Sequence, residues 1–131
     1  MIRFALPIAI TACALSAAPA AAKTVEVTDV VSPTGLISCL AVKFGSGIEC
    51  TAPYLPDIGD LDTYLALKRH GRSSLSERGD NPGFGHKPAK LHYGDIWHRP
   101  GIRCTMRSSG LRCHNLDGHG FSMARGNVQR F

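Results

Sequence analysis

Apolar residues recur at every second position in several short runs broken by Gly, Pro and Asp. That is the period of a half-buried strand. Val25, Val27 and Val30-Val31 interleave with Glu26, Thr28 and Asp29, which predicts one strand over Lys23 to Val31. Ser32-Pro33-Thr34-Gly35 predicts a turn, because the ring of Pro33 presets its own backbone angle and Gly35 tolerates a left-handed one. Leu36 to Val42 and Ile48 to Cys50 then predict a hairpin around Phe44-Gly45-Ser46-Gly47, closed off by Pro53 and Pro56. Leu91 to Trp97 resumes the pattern with Leu91, Tyr93 and Trp97 as core candidates. Gly101 to Cys113 predicts a second hairpin in which Ile102, Met106 and Leu111 are apolar. Gly120 to Met123 predicts a closing strand, and Gly126 to Phe131 a tail.

The middle of the chain supports two readings. Ile58, Leu61, Tyr64-Leu65 and Lys68 suit a short helix with Asp57 or Asp60 near its start. Thr63 to Lys68 and Arg72 to Glu77 equally suit two strands around a His70-Gly71 turn. Asn81 to Lys90, rich in Pro and Gly, reads as a loop carrying Phe84 and His86. The two hairpins form an internal repeat: Gly35-Leu-Ile-Ser-Cys parallels Gly101-Ile-Arg-Cys, and Gly47-Ile-Glu-Cys parallels Gly110-Leu-Arg-Cys. The fold expected is all-β, a small barrel or sandwich with a possible short helix in the middle.

Residues 1–22 change the picture of where this domain works. Arg3 gives a positive start, Phe4 to Ala18 is mostly apolar, and Pro19-Ala20-Ala21-Ala22 offers small residues for cleavage, the pattern of a secretory signal peptide. Ile10-Thr11-Ala12-Cys13 also loosely fits lipoprotein processing, at the cost of a very short leader. Cleavage before Lys23 leaves a single secreted or periplasmic domain over residues 23–131, with no membrane span in the mature chain.

Four cysteines then remain, an even number in an exported chain, which implies two disulfides. Three pairings are formally possible. Spacing favours Cys39–Cys50 and Cys104–Cys113, because each pair brackets a turn with an even number of residues between, so the partners can face each other on antiparallel strands. Ala41 would then face Ile48, and Met106 would face Leu111. A four-cysteine zinc site wants close Cys-x-x-Cys pairs, which are missing. The leader carries one of the 15 basic residues, so 14 face 10 acidic ones in the mature domain. The excess is scattered and forms no run, which describes a solvated basic surface and not a nucleic-acid site.

Three stretches together are more specific. Ser32-Pro33-Thr34-Gly35-x-Ile37-x-Cys39, Leu91-x-Tyr93-Gly94-x-x-Trp97, and Gly110-Leu111-x-Cys113-x-Asn115-x-x-Gly118-His119-Gly120-Phe121-x-x-x-Arg125 with a terminal Phe131 resemble a family of small exported bacterial proteins, domain of unknown function 6636. The resemblance runs from about residue 30 to the C-terminus and implies an exported, disulfide-bearing, β-rich domain without an assigned activity. Members often carry a further cysteine pair in mid-domain. Here Gly79-Asp80 is kept, but no cysteine lies between Cys50 and Cys104.

The candidate chemistry sits beside that closing motif. His114 and His119, next to Asn115 and Asp117, could serve as metal ligands or as the acid–base pair of a small secreted hydrolase, with Arg103, Arg107 and Arg112 holding a phosphodiester or similar anion. The structural reading is a tight turn at Gly118 and Gly120, with Asn115 and His119 bonding backbone groups the turn leaves unpaired. The terminal Phe131 suggests an outer-membrane barrel, but long strands with alternating lipid-facing residues are missing. No phosphate-loop, nucleophile-elbow or dinucleotide fingerprint occurs. The expectation is a non-enzymatic binding or interaction module without cofactor or metal. Its partner would be an envelope or extracellular protein or ligand, met through Asn81 to Lys90 and Gly118 to Arg125, with Asn115, His119, Phe121 and Arg125 as binding candidates. The alternative is the hydrolase using His114 and His119.

Overall fold

The structure, a computed structural model, describes residues 21–80 and 87–131. The leader through residue 20 and the loop over 81–86 lie outside the described residues. The described strands are β1 (Thr24–Val25), β2 (Asp29–Val31), β3 (Ser38–Ala41), β4 (Gly47–Thr51), β5 (Asp62–Lys68), β6 (Ser74–Arg78), β7 (Ala89–Lys90), β8 (Ile96–Arg99), β9 (Ile102–Arg107), β10 (Gly110–Asn115), β11 (Gly120–Ala124) and β12 (Asn127–Arg130). A single 3-10 turn, Lys43–Gly45, joins β3 to β4. The fold is all-β and sandwich-like, with two sheets that do not close into a barrel.

The two sheets follow one plan. The first has the order β6-β5-β4-β3-β2-β7 and the second β1-β8-β9-β10-β11-β12. Each is an antiparallel meander of five consecutive strands whose first strand is flanked by a short parallel one. The flanking strands are exchanged: β1, ahead of the first meander, pairs with β8, and β7, ahead of the second, pairs with β2. The internal repeat of the sequence is therefore a repeat of whole half-domains. Gly47 and Gly110 hold the same place in each: a Cβ there would collide with the backbone carbonyl of Leu67 or of Met123, so only glycine fits.

The cystines form the central pair of each meander. Cys39 faces Cys50 and Cys104 faces Cys113, both bonded, with Cα separations of 4.1 and 4.0 Å. These are the close approaches of non-hydrogen-bonded cross-strand pairs. The flanking pairs Ala41–Ile48 and Met106–Leu111 follow in register. One inward row crosses the first sheet as Val30, Cys39, Cys50, Leu65 and Leu75. Its counterpart crosses the second as Trp97, Cys104, Cys113 and Phe121. Together with Ile37, Ile48, Leu67, Leu91, Ile102, Met106, Leu111 and Met123 they make one core.

Four expectations are corrected. No helix forms in the middle: Asp62–Lys68 and Ser74–Arg78 are paired strands, and Thr63, Leu65 and Leu67 point inward while Asp62, Tyr64, Ala66 and Lys68 point outward. Pairing of β5 with β4 settles the choice, because it lines Leu65 up with Cys50 and Leu67 with Ile48. The strand expected over Lys23 to Val31 is two, one in each sheet, and the crossing is pinned where the Trp97 indole N–H donates to the Val27 carbonyl at 2.8 Å. The expected tail is strand β12, paired along β11, and Phe131 exchanges two backbone hydrogen bonds with Gly120. Tyr93 is exposed and not a core residue, since it belongs to the turn before β8, whereas Leu91 and Trp97 are fully buried.

Candidate functional site

The closing motif is a clasp between the sheets. Asn115, at the end of β10, is 5% exposed. Its amide nitrogen donates to the carbonyls of Lys68 at 3.0 Å and Gly71 at 2.7 Å, at the end of β5 and in the β5–β6 turn of the other sheet. Its amide oxygen accepts the backbone N–H groups of Asp117 and His119, both at 3.0 Å. One side chain thus shapes its own turn and grips another some 45 residues away. Gly118, at φ +76°, lets the chain fold back between the two accepted amides. Asp117 adds to the grip: one carboxylate oxygen accepts the Gly71 amide at 2.7 Å and the other meets His70 Nδ1 at 3.0 Å. The Leu116 amide donates to the Arg69 carbonyl at 3.2 Å. The middle hairpin, which has no cysteine pair, is held by this clasp.

The His70 ring and then the Gly71 amide hold the Asp117 carboxyl below its ordinary value of 3.8. A group depressed in the folded state contributes its full stabilisation above the unfolded value and loses it as pH falls through the folded one. The stability advantage of wild type over Asp117→Asn, followed by circular dichroism in acid unfolding, is therefore expected to be constant above about pH 3.8 and to shrink below it, where wild type loses stability more steeply. Parallel acid limbs would show that the contact is not made in solution.

The other site candidates are dispersed. His114 is exposed on β10 opposite Arg103 and Gly120. His119 is half-buried in the clasp turn, and no described hydrogen bond joins the two rings. Phe121 is fully buried opposite Cys113, a core residue with no surface to offer a ligand. Arg125 is exposed in the β11–β12 turn, near enough to the Tyr54 phenol to oppose the rise in pKa that burial gives it. Arg103, Arg107 and Arg112 are exposed on the outer face of the second sheet, with the Arg112 guanidinium 4.1 Å above the Phe131 ring. Among the described residues no three His, Cys, Asp or Glu side chains gather as a metal site.

A cavity of about 570 Å³ lies at the first sheet. Strands β2 to β5 and the segment after β4 wall it, with Arg78 of β6 at one side. Arg78 stacks over the Tyr64 ring at 4.1 Å and pairs with Glu49. Burial lowers its pKa and Asp80 opposes that. Cys39 and Cys50 are positions of the cavity wall and their bridge lies on the inner side of the sheet, so the strands that shape the cavity are covalently tied. Sequence reasoning missed this site because its residues are spread from Asp29 to Pro88. One signal was there: eight of the ten acidic residues fall between Glu26 and Asp80, while the rest of the chain is strongly basic.

Among the described residues no helix is long and apolar enough to cross a membrane. Compared with protein-family models, curated proteins and solved structures, the chain matches none.

Proposed function

We propose that this chain is an exported bacterial binding module of the envelope or extracellular space, without catalysis of its own, that takes a ligand in the cavity at the first sheet. The cavity carries the reading: about 570 Å³ is the size of a small-molecule site, and its walls are preformed strands stapled by a disulfide. Two disulfides and the leader pattern of residues 1–22 support export, as does the resemblance to an exported family. The clasp supports the absence of catalysis, since Asn115 and Asp117 spend their hydrogen-bonding capacity on backbone groups of the protein itself.

One observation favours the second reading, a hydrolase of phosphodiesters or similar anions: the β9–β10 register sets His114 beside Arg103 and puts Arg112 one row away. The two readings separate in one experiment. The protein recovered after export, with a mass that starts at Lys23 and lacks four hydrogens, is screened by NMR against a small-metabolite library and against a chromogenic phosphodiester. Expected are hits that shift the amides of Leu40, Thr51 and Tyr64, and no turnover. Turnover that vanishes in a folded His114→Ala variant would establish the hydrolase instead.

A further inference from the structure

Basic residues that are scattered along the sequence are gathered at one end of the sandwich. The β4–β5 register sets Gly47 beside Lys68, which brings the β3–β4 turn to the β5–β6 turn. The β9–β10 register sets Asn115 beside Ile102, which brings the β8–β9 turn to the β10–β11 turn. The clasp joins these two sets, so four hairpin turns meet here, and Phe131 closes the group through its bonds to Gly120. Arg69 lies at the junction: a Cβ on Gly45 would stand 3.3 Å from its guanidinium, and one on Gly101 2.9 Å from its stem. Lys43, Lys68, Arg69, Arg72, Arg103 and Arg130 are all exposed at this end. Asp117 and Glu26 stand among them, but each is engaged by a histidine, His70 at 3.0 Å and His98 at 3.1 Å. Asp57, Asp62 and Asp80, which line the cavity, lie at the opposite end, where β5 begins and β6 finishes. The domain is thus electrically polar along its strands, and such a field turns the basic end toward an anionic partner.

Two independent observations describe that partner. Leu116, in the β10–β11 turn, is 65% exposed, the most exposed large apolar side chain among the described residues. It flanks Gly101 together with the Arg69 stem, so an apolar group stands among the cations. At the same end Arg72, Ser73, Arg130 and Phe131 line a recess of about 410 Å³. The Arg130 guanidinium is held there by the Ser73 carbonyl at 3.2 Å, and among the described residues neither arginine is in an ion pair. Two guanidinium forks from different sheets at one recess suit a phosphate group. A dissolved polyanion needs only the cations. An exposed leucine among them is favoured by a partner with an apolar interior.

From this juxtaposition we propose that the basic end docks the domain onto an anionic phospholipid surface. Leu116 enters the headgroup layer, the cations meet lipid phosphates, and one phosphate seats between Arg72 and Arg130. The attachment is peripheral and holds the acidic end away from the membrane. This inference goes beyond the cavity reading and shares only its compartment.

The test is cosedimentation of the exported protein with vesicles of phosphatidylglycerol and phosphatidylcholine in equal parts, and with vesicles of phosphatidylcholine alone. Expected is binding about tenfold tighter to the anionic vesicles. It should weaken about tenfold between about 50 and about 500 mM salt, as counterions screen the contact. Leu116→Ala should weaken binding about fivefold and leave the melting temperature unchanged. Arg72→Gln/Arg130→Gln should weaken it about tenfold. Lys90→Gln/Arg107→Gln, which removes the same charge from strand positions toward the other end, should stay within about twofold of wild type. That control separates a placed contact from net charge. Equal binding to both vesicle types overturns the proposal, as does an equal loss in the two double variants. Leu116→Ala that binds like wild type overturns it as well. Retention on immobilised heparin without binding to vesicles would assign this end to a soluble polyanion and overturn the membrane reading. Each such failure leaves the cavity reading standing, because no residue of the basic end lines the cavity.

Discussion

Asn115→Ala is expected to lower the unfolding free energy by about 3 kcal/mol, although it removes only a small polar side chain. The change deletes four hydrogen bonds and strands the carbonyls of Lys68 and Gly71 and the amides of Asp117 and His119. Part-buried groups left without partners account for the cost, more than the bonds themselves. Asn115→Asp should be no better, because it retains the acceptor for the two amides but sets carboxylate oxygen against two carbonyl oxygens. Leu116→Ala is the control: that side chain is 65% exposed, and its loss should stay within about 0.5 kcal/mol. Urea unfolding of the three variants measures this directly. An Asn115→Ala midpoint equal to that of Leu116→Ala would show that the clasp does not close in solution.

Removing both disulfides is expected to cost more, on the order of 5–6 kcal/mol. Each bridge closes a short loop, with sequence separations of 11 and 9, worth about 3 kcal/mol in the chain-entropy model. A domain of this size has a net stability of roughly 5–15 kcal/mol, so the four-cysteine-to-alanine variant should be partly or wholly unfolded at 37 °C. The single-bridge variants Cys39→Ala/Cys50→Ala and Cys104→Ala/Cys113→Ala should remain folded with lowered melting temperatures. Because the bridges staple different sheets, their losses should add to within about 0.5 kcal/mol. Thermal melts of the oxidised and reduced protein decide the matter, and identical melts would mean that the bridges contribute nothing.

Both effects follow from the duplicated plan. Each half builds a meander around its own cystine pair and lends its leading strand to the other half. The halves are joined a second time where the clasp ties the β10–β11 turn to the β5–β6 turn. Strand exchange and clasp lock the two sheets face to face and leave the outer side of the first sheet free to carry a cavity.

What could be read without coordinates was local. Cys39 opposite Cys50, Ala41 opposite Ile48 and Met106 opposite Leu111 were legible because a hairpin of period 2 fixes its own register once the turn and the cystine are placed. The structural role of Asn115 was legible in kind, since Asn before a Gly-containing turn bonds nearby amides. Its grip on Lys68 and Gly71 was not, because nothing near position 115 indicates which distant turn will lie above it. Alternation over Lys23 to Val31 is the same for one strand as for two, and only the Trp97 indole, 70 residues on, pins the crossing at Val27. Ile58, Leu61 and Leu65 imitate a helical stripe, and the partner strand β4 overrules it. The sequence by itself therefore determined the all-β class, the two cystine hairpins and their repeat, because these depend on periodicity and short-range closure. The tertiary structure alone decided the strand exchange, the clasp and the acidic cavity, because each assembles groups from strands far apart in the chain whose proximity only sheet order can specify.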